Sequence, residues 1–119
     1  MSEGRQIVIC DAGPILHLDE LGQLSLLNDF EAVYIPKQVW DEVTSHRPKA
    51  FSKASGRFHR VEVPLIYDST FQSISKSFSL DLGEQAALRL MQEYPEAIFL
   101  TDDAAARLAA VTLGYRVKM

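Results

Sequence analysis

The segment Ile7-Val8-Ile9-Cys10-Asp11-Ala12-Gly13-Pro14 contains a strand signal, a strand end and a helix start in direct succession. Its first four residues are apolar and mostly β-branched, which is typical of a central strand buried on both faces. The next four residues end such a strand, and Pro14 suits the first turn of a helix, where a missing N–H costs nothing. The segment therefore predicts a strand that leads directly into a helix.

The same alternation of strand and helix signals continues along the chain. Further strand candidates are residues 32–35, 61–63, 97–101 and 115–118. Helical spacing of apolar residues is found at residues 16–27, divided at Gly22, and at 37–45, 70–78, 82–94 and 104–113. This order predicts a single α/β domain with a mostly parallel sheet of four to five short strands, flanked by helices.

Size and composition are those of an ordinary globular domain. The chain has 119 residues, of which 47% are hydrophobic and 24% charged, so it can bury one core. Its single cysteine, Cys10, cannot form an intramolecular disulfide, and its apolar surroundings favour a buried reduced thiol. No apolar run approaches the ~18 residues of a membrane span, and the N-terminus lacks a signal-peptide core. We therefore expect a cytoplasmic protein without a membrane segment.

Charge is distributed unevenly along the chain. The net charge is −4, which argues against a protein that simply coats nucleic acid. The stretch 46–60 nevertheless contains no acid and five cations, Arg47, Lys49, Lys53, Arg57 and Arg60; the other 7 basic and 16 acidic residues leave −9 on the remaining chain. This basic stretch is either a solvated loop that balances charge or a contact for a polyanion such as RNA.

Acidic residues occur where predicted strands end. Asp11 follows the first strand, Asp102 and Asp103 follow the 97–101 strand, and Glu42 and Glu84 lie in the first two turns of helices. In a parallel sheet these positions converge at the C-terminal edge of the strands, where ligands bind. We therefore expect five carboxylates in one region.

Each of these carboxylates also has a purely structural explanation. Asp11 could cap the first helix, Asp102 could cap the helix from Ala104, and Asp81 with Glu84 has the spacing of a capping box. Grouping favours a further role, because adjacent ionised carboxylates repel one another unless a cation offsets their charge. An oxygen-only set suits Mg²⁺ or Mn²⁺, and the three histidines are not spaced as ligands for zinc.

Four blocks of the sequence together resemble the PIN-domain superfamily, in particular prokaryotic members akin to the VapC toxins. The blocks are IVICDAGPILHL (7–18), YIPKQVWDEV (34–43), LDLGEQAA (80–87) and TDDAAAR (101–107). They occur in the family's order and cover essentially the whole chain. Only their combination is specific.

The resemblance implies a five-stranded parallel sheet and a metal-dependent single-strand ribonuclease centre. By position, Asp11, Glu42, Glu84 and Asp103 match the family's four acids, which would be catalytic and hold the metal; the adjacent Asp102 is a further metal-ligand candidate. Many relatives have Asp in place of Glu84, so the third carboxylate is one methylene longer here. Relatives also continue past the last strand, so residues 1–119 are expected to be a PIN-like nuclease domain that either is a short variant or lacks a C-terminal element.

Several functions remain open from the sequence. The first is metal-activated hydrolysis of RNA, with the basic stretch guiding the phosphates and a small antitoxin covering the acidic edge. The second is a catalytically inactive PIN-like module that binds RNA or a regulatory protein. A phosphoryl-accepting receiver domain fits less well, because Lys118 follows no matching acceptor loop. The resemblance and the apolar residues near Leu24, Phe30 and Phe71 also favour a homodimer.

Overall fold

A computed structural model describes residues 6–52, 57–64 and 68–118, in which five short strands alternate with helices. The strands are β1 (Ile7–Cys10), β2 (Ala32–Pro36), β3 (Phe58–Val61), β4 (Ile98–Leu100) and β5 (Arg116–Lys118). The α-helices are α1 (Ala12–Glu20), α2 (Lys37–His46), α3 (Ser69–Ser77), α4 (Leu82–Glu93) and α5 (Ala104–Thr112), and a 3₁₀ helix spans Leu24–Asp29. The predicted alternation of strands and helices is confirmed.

All five strands are parallel and lie in the order β3-β2-β1-β4-β5. The chain builds the sheet outward from β1 to β3 and then returns to build β4 and β5 on the other side. The direction of winding therefore reverses between β1 and β4. In an open parallel sheet this reversal leaves a crevice beyond the C-terminal ends of the two strands.

Two apolar clusters cover the two faces of the sheet. On one face α1, α2 and the 3₁₀ helix pack on alternate residues of β1 and β2, such as Val8 and Val33. On the other face α3, α4 and α5 pack on residues such as Ile9 and Phe99. Because β1 is covered on both sides, three of its four residues are fully buried, as its continuous apolar run predicts. Burial of each such large side chain stabilises the fold by about 1.5–3 kcal/mol.

The third strand lies earlier than the sequence predicts. Residues 61–63 carry the apolar signal, but the strand is Phe58–Val61 and only its last residue overlaps the prediction. Its His59 and Arg60 are exposed because β3 is an edge strand with a single neighbour, β2. An edge strand tolerates polar residues that would rule out a central strand, so periodicity misplaced it.

The apolar residues that favoured dimerisation are packed, fully or in part, inside the domain. Phe71 is 1% exposed in the core, and Leu24 and Phe30 pack against the cluster under α1 and α2. Phe71 is therefore not available to a dimer interface, whereas Leu24 and Phe30 are only half-buried, and the homodimer stays a prediction. Across residues 6–52, 57–64 and 68–118, no helix has both the length and the apolar composition needed to cross a bilayer.

Candidate active site at the sheet's C-terminal edge

The crevice between β1 and β4 begins at Asp11. The backbone N–H of Asp11 donates to the carbonyl of Leu100 at 2.9 Å, which joins the ends of the two strands. The side chain then caps α1, since its Oδ1 accepts from the N–H of Ala12 at 2.9 Å. Asp11 is only 6% exposed, so this carboxylate is held in a fixed position at the bottom of the crevice.

Thr101 connects Asp11 to Asp103. Its buried hydroxyl donates to Asp11 Oδ2 at 2.9 Å and accepts from the backbone N–H of Asp103 at 3.1 Å. Asp103 then caps α5, because its Oδ1 accepts from the N–H of Ala106 at 2.9 Å. The structural alternative in which Asp102 caps this helix is wrong. One hydroxyl thus fixes two carboxylate-bearing segments against each other.

Glu84 enters the same region from the first turn of α4. It forms a capping box with Asp81, as the spacing predicts: Asp81 Oδ1 accepts from the Glu84 N–H at 2.8 Å, and Glu84 Oε1 accepts from the Asp81 N–H at 3.0 Å. Glu84 is 8% exposed. The capping box therefore holds a nearly buried carboxylate in one orientation.

Glu42 approaches from α2, which packs on the opposite face of the sheet from α4. A Cβ atom built on Gly83 would lie 3.3 Å from Glu42 Oε1 and 3.5 Å from Asp81 Oδ1. The missing side chain of Gly83 therefore leaves space for α2 to come close to α4. The carboxylates of Glu42 and Asp81 both lie beside this space. A larger residue at position 83 would have to displace one of them.

The electrostatics of these carboxylates show that they form one group. Burial raises the pKa of Asp11 from 3.8 to about 6, the hydrogen bonds from Ala12 and Thr101 oppose this, and the charges of Asp81 and Glu42 add to it. Burial likewise raises the pKa of Glu84 from 4.5 to about 7, against the hydrogen bond from Asp81, and the charges of Asp81, Asp11 and Asp103 add to it. The pKa of Glu42 is raised by burial and by Asp81, while His46 lowers it. The charge of Asp81 thus reaches Asp11, Glu42 and Glu84, the charge of Glu42 reaches Asp11, and the charges of Asp11 and Asp103 reach Glu84.

The donor set of this group fits a hard divalent cation. All the donors are carboxylate oxygens, which Mg²⁺ and Mn²⁺ prefer, and a cation would offset the repulsion that raises the pKa values. Among the described residues, however, no three acidic, histidine or cysteine side chains already stand in the geometry of a formed metal site. Metal binding would therefore require side-chain movements and the release of protons.

Asp102 is turned away from this group. Its Oδ2 lies 3.1 Å from Nδ1 of His17 on α1, and its Oδ1 would be 2.0 Å from a Cβ atom built on Gly13. It is not among the charges that raise the pKa of Asp11 or Glu84. Charge effects thus connect Glu42 with Asp11, and Asp11 and Asp103 with Glu84, whereas Asp102 contacts His17 and the space over Gly13.

Three described cations of the basic stretch, Arg47, Lys49 and Arg57, lie away from the carboxylates. Helix α2 runs back toward the N-terminal edge of the sheet, so Arg47 and Lys49, beyond its end, lie toward the opposite edge. Arg57 precedes β3 on that same edge and donates to the carbonyl of Phe30 at 2.8 Å.

The remaining cations of this stretch have varied surroundings. Arg47 is paired with Asp19, and Arg60 lies 3.8 Å from Glu62. Lys49 is exposed beside a groove of about 770 Å³, which His46 and Arg47 also line. Lys53 lies outside the described residues.

Sequence reasoning missed two members of the site. Thr101 was recognised only as the context of Asp103, although a hydroxyl directly after a buried strand and two residues before an acid is well placed to bond both. Asp81 was treated as a cap alone, although it precedes a helix at the same edge. The reduced thiol of Cys10 is fully buried as expected, and burial raises its pKa further, so it is no nucleophile.

Taken together, these features define an open parallel α/β domain with an acidic centre at its winding reversal. The chain belongs to the PIN-domain family DUF3368, whose family model, described as "PIN domain", matches residues 7–118. PIN domains are generally nucleases, so the fold is of a nuclease type. No curated protein matches the chain with significant similarity.

Proposed function

We propose that the protein is a metal-dependent endoribonuclease that hydrolyses phosphodiester bonds in single-stranded or structured RNA. The observation that carries the proposal is the proximity of the acidic residues in a PIN fold: the charge of Glu42 raises the pKa of Asp11, and the charges of Asp11 and Asp103 raise the pKa of Glu84. Helix caps can function without lying close to one another, and close carboxylates repel. Carboxylates that bind one divalent cation must lie close together.

The four carboxylates would hold Mg²⁺ or Mn²⁺, which when bound lowers the pKa of water and neutralises charge on the phosphoryl group. The chain's own contribution is to fix the ligands. Thr101 sets Asp11 and Asp103 relative to each other, and the capping box sets Glu84. Because the pKa values of Asp11 and Glu84 lie near neutrality, the acids also give up protons as the cation binds.

Cleavage assays on the full chain test this proposal. Single-stranded RNA, hairpin RNA and DNA of the same sequence are incubated with Mn²⁺, Mg²⁺ or EDTA, and the products are separated on gels. We expect cleavage of RNA with either metal and none in EDTA. Asp11→Asn and Glu84→Gln should each reduce the rate by at least about a hundredfold, since loss of even an outer partner of a metal ligand typically costs ten- to a hundredfold.

The matched control is Asp41→Asn, which removes an exposed carboxylate beside Glu42 whose partner is Lys37. It should cleave like wild type. Activity that persists in Asp11→Asn or in EDTA would contradict the proposal, because the carboxylates would then not be needed.

A catalytically inactive PIN-like module that binds RNA or a regulatory protein is the second candidate. The absence of a preformed metal-binding group among the described residues favours it. So does the raised pKa of Glu84, which leaves that group about half protonated at neutral pH. Binding of RNA without cleavage under every metal condition would support this candidate over the first.

The cellular setting is also a proposal. In the toxin-like interpretation a small antitoxin protein covers the acidic edge, the protein works as a homodimer, and it acts in the cytoplasm, where a lone reduced cysteine is expected. Light scattering tests the dimer, and a monomer mass across micromolar concentrations would exclude it.

Three cations of the basic stretch would contact RNA only at a distance from the cleaved bond. Arg47, Lys49 and Arg57 lie toward the other edge of the sheet, and Lys53 and Arg60 complete the set. A long RNA passing along α2 could reach both regions. In that case Arg47→Gln or Lys49→Gln should weaken the binding of long RNAs more than that of short ones. Either change should also reduce the salt dependence of binding.

A further inference from the structure

His17 and Asp102 form a pair directly beside the carboxylate crevice. Nδ1 of His17 lies 3.1 Å from Oδ2 of Asp102. Asp102 adjoins Thr101 and Asp103 in the chain, and His17 lies in the second turn of α1, the helix that Asp11 caps. The pair is therefore at the rim of the proposed active site, although it shares no hydrogen bond with the acidic group in the described residues.

Gly13 gives Asp102 its position. A Cβ atom on Gly13 would lie 2.0 Å from Asp102 Oδ1 and 2.5 Å from the other two carboxyl-group atoms. Since Gly13 and His17 are four residues apart, they lie on the same side of α1. The carboxylate thus rests against the bare backbone at Gly13 and reaches one turn along the helix to His17.

This contact determines which ring nitrogen of His17 remains available to a ligand. The 3.1 Å approach of Nδ1 to Oδ2 is an ion-pair contact, and because an ionised carboxylate can only accept, it favours a ring that carries a proton on Nδ1. Nε2 is then the remaining polar atom of the ring, an acceptor in the neutral ring and a donor in the charged one. The His17 side chain is 66% exposed, so a bound molecule could reach that atom.

We propose that His17, oriented by Asp102, contacts the sugar–phosphate backbone of the bound RNA strand through Nε2 at the rim of the site. The proposal rests on the proposed function, which brings an RNA strand across this edge of the sheet. Both backbone groups have suitable chemistry: a ribose 2′-hydroxyl donates to or accepts from Nε2, and a phosphate oxygen accepts from the charged ring. Asp102 acts as a positioning residue and does not touch the strand.

An exposed ion pair that serves only stability is the alternative explanation. Such pairs contribute about 0–1 kcal/mol, so removing one changes unfolding slightly and leaves RNA binding alone. Binding therefore separates the two explanations. A substitution that keeps the pair but removes Nε2 separates them most sharply.

The test measures binding of a short fluorescein-labelled single-stranded RNA to the full chain by anisotropy, with Ca²⁺ in place of Mn²⁺ to prevent cleavage. His17→Asn retains a donor for Asp102 but has no atom equivalent to Nε2, and His17→Ala lacks both. We expect each to raise the Kd about three- to tenfold, the value of one hydrogen bond. Glu20→Gln, on an exposed position of the same helix, is the control and should bind like wild type.

Gly13→Ala provides a variant that is not expected to lose stability. Alanine favours helix over glycine, but its methyl group must displace the end of the Asp102 side chain. Its Kd should rise as in His17→Ala while its melting temperature does not fall. Wild-type binding by this variant would overturn the role of Asp102.

Wild-type affinity in both His17 variants would overturn the proposal, as would RNA binding that falls in His17→Ala but not in His17→Asn. RNAs with single 2′-deoxy substitutions identify the contacted group. If one substitution abolishes the effect of His17→Asn, the contact is that ribose; if none does and salt weakens the effect, it is a phosphate. If wild-type protein binds RNA but does not cleave it, the nuclease proposal fails and the His17 proposal stands. If wild-type protein binds no RNA, both proposals fail.

Discussion

Asp11 is both a helix cap and a neighbour of the other acidic residues, although the sequence suggested these as alternative explanations. Its Oδ1 caps α1, and its Oδ2 accepts from Thr101 on the side of the other acidic residues. One buried side chain can do both because each carboxylate oxygen has two lone pairs. An N-cap normally lies in solvent, where its charge costs little. Here the crevice buries the cap, and the pKa of Asp11 rises to about 6 as a result.

Replacing Asp11 separates these roles. Asn is as good an N-cap as Asp and removes the charge, so Asp11→Asn should melt no lower than wild type in EDTA at neutral pH, yet gain little from Mn²⁺. Asp11→Ala should be about 1 kcal/mol less stable than Asp11→Asn, since it also loses the cap. Thermal unfolding with and without metal measures both effects.

The wild-type gain should be on the order of 10 °C at a hundredfold excess of Mn²⁺ over its Kd. An Asp11→Asn protein that is destabilised in EDTA and keeps the full metal gain would show that Asp11 is a cap alone.

At the level of elements, the N-terminus of α4 brings two acids into the site. Asp81 Oδ1 satisfies the Glu84 N–H, and the Asp81 charge raises the pKa of Glu84, Asp11 and Glu42. Capping and repulsion therefore oppose each other in the same residue. The α4 cap contributes stability while its charge keeps the neighbouring acids protonated to a higher pH.

Two substitutions of Asp81 should show this opposition. Asp81→Asn keeps the cap and removes the charge, so the pKa of Glu84 should fall, which ¹³C NMR titration of the side chain would detect. Asp81→Ala should unfold at a lower urea concentration than Asp81→Asn, with a free energy of unfolding that is about 1 kcal/mol smaller. Equal stability of the two variants would mean that the capping box contributes nothing, and an unchanged Glu84 pKa would mean that Asp81 does not belong to the site.

The elements themselves could largely be predicted from the sequence, but their contacts could not. The run Ile7–Cys10 and the helix after Asp81 have strong local signals, and both are where the pattern predicts them. The position of β3 had no such signal, because an edge strand carries exposed polar residues.

The same limit applies within the site. That Asp103 and not Asp102 caps α5 depends on Thr101, and that Asp102 turns away depends on the space over Gly13. Thr101 is in turn bonded to Asp11, so both arrangements depend on contacts between residues about ninety positions apart, which no local pattern contains.

For the molecule as a whole, the raised pKa values predict how stability changes with pH. The folded pKa values of Asp11 and Glu84 exceed the ordinary values of 3.8 and 4.5, so the native state binds protons that the unfolded state releases. Their contribution to stability is fully present below about pH 4 and is lost as the pH rises through about 6 and 7.

In EDTA, the free energy of unfolding should therefore fall more between about pH 5 and pH 7.5 for wild type than for Asp11→Asn. Urea unfolding at several pH values measures the difference. In Mn²⁺ the trend should reverse, because the cation competes with these protons and binds better as they leave. Parallel curves for the two proteins in EDTA would contradict the raised pKa of Asp11.

The central claim is that the crevice between β1 and β4 binds a divalent cation. Anomalous difference density from crystals soaked in Mn²⁺ tests it most directly. We expect one strong peak in contact with the carboxylates of Asp11 and Asp103 and with at least one of Glu84 and Glu42, with Asp102 still directed at His17. A map without a peak in this crevice, or with its strongest peak at Asp102 or elsewhere on the surface, would contradict the claim.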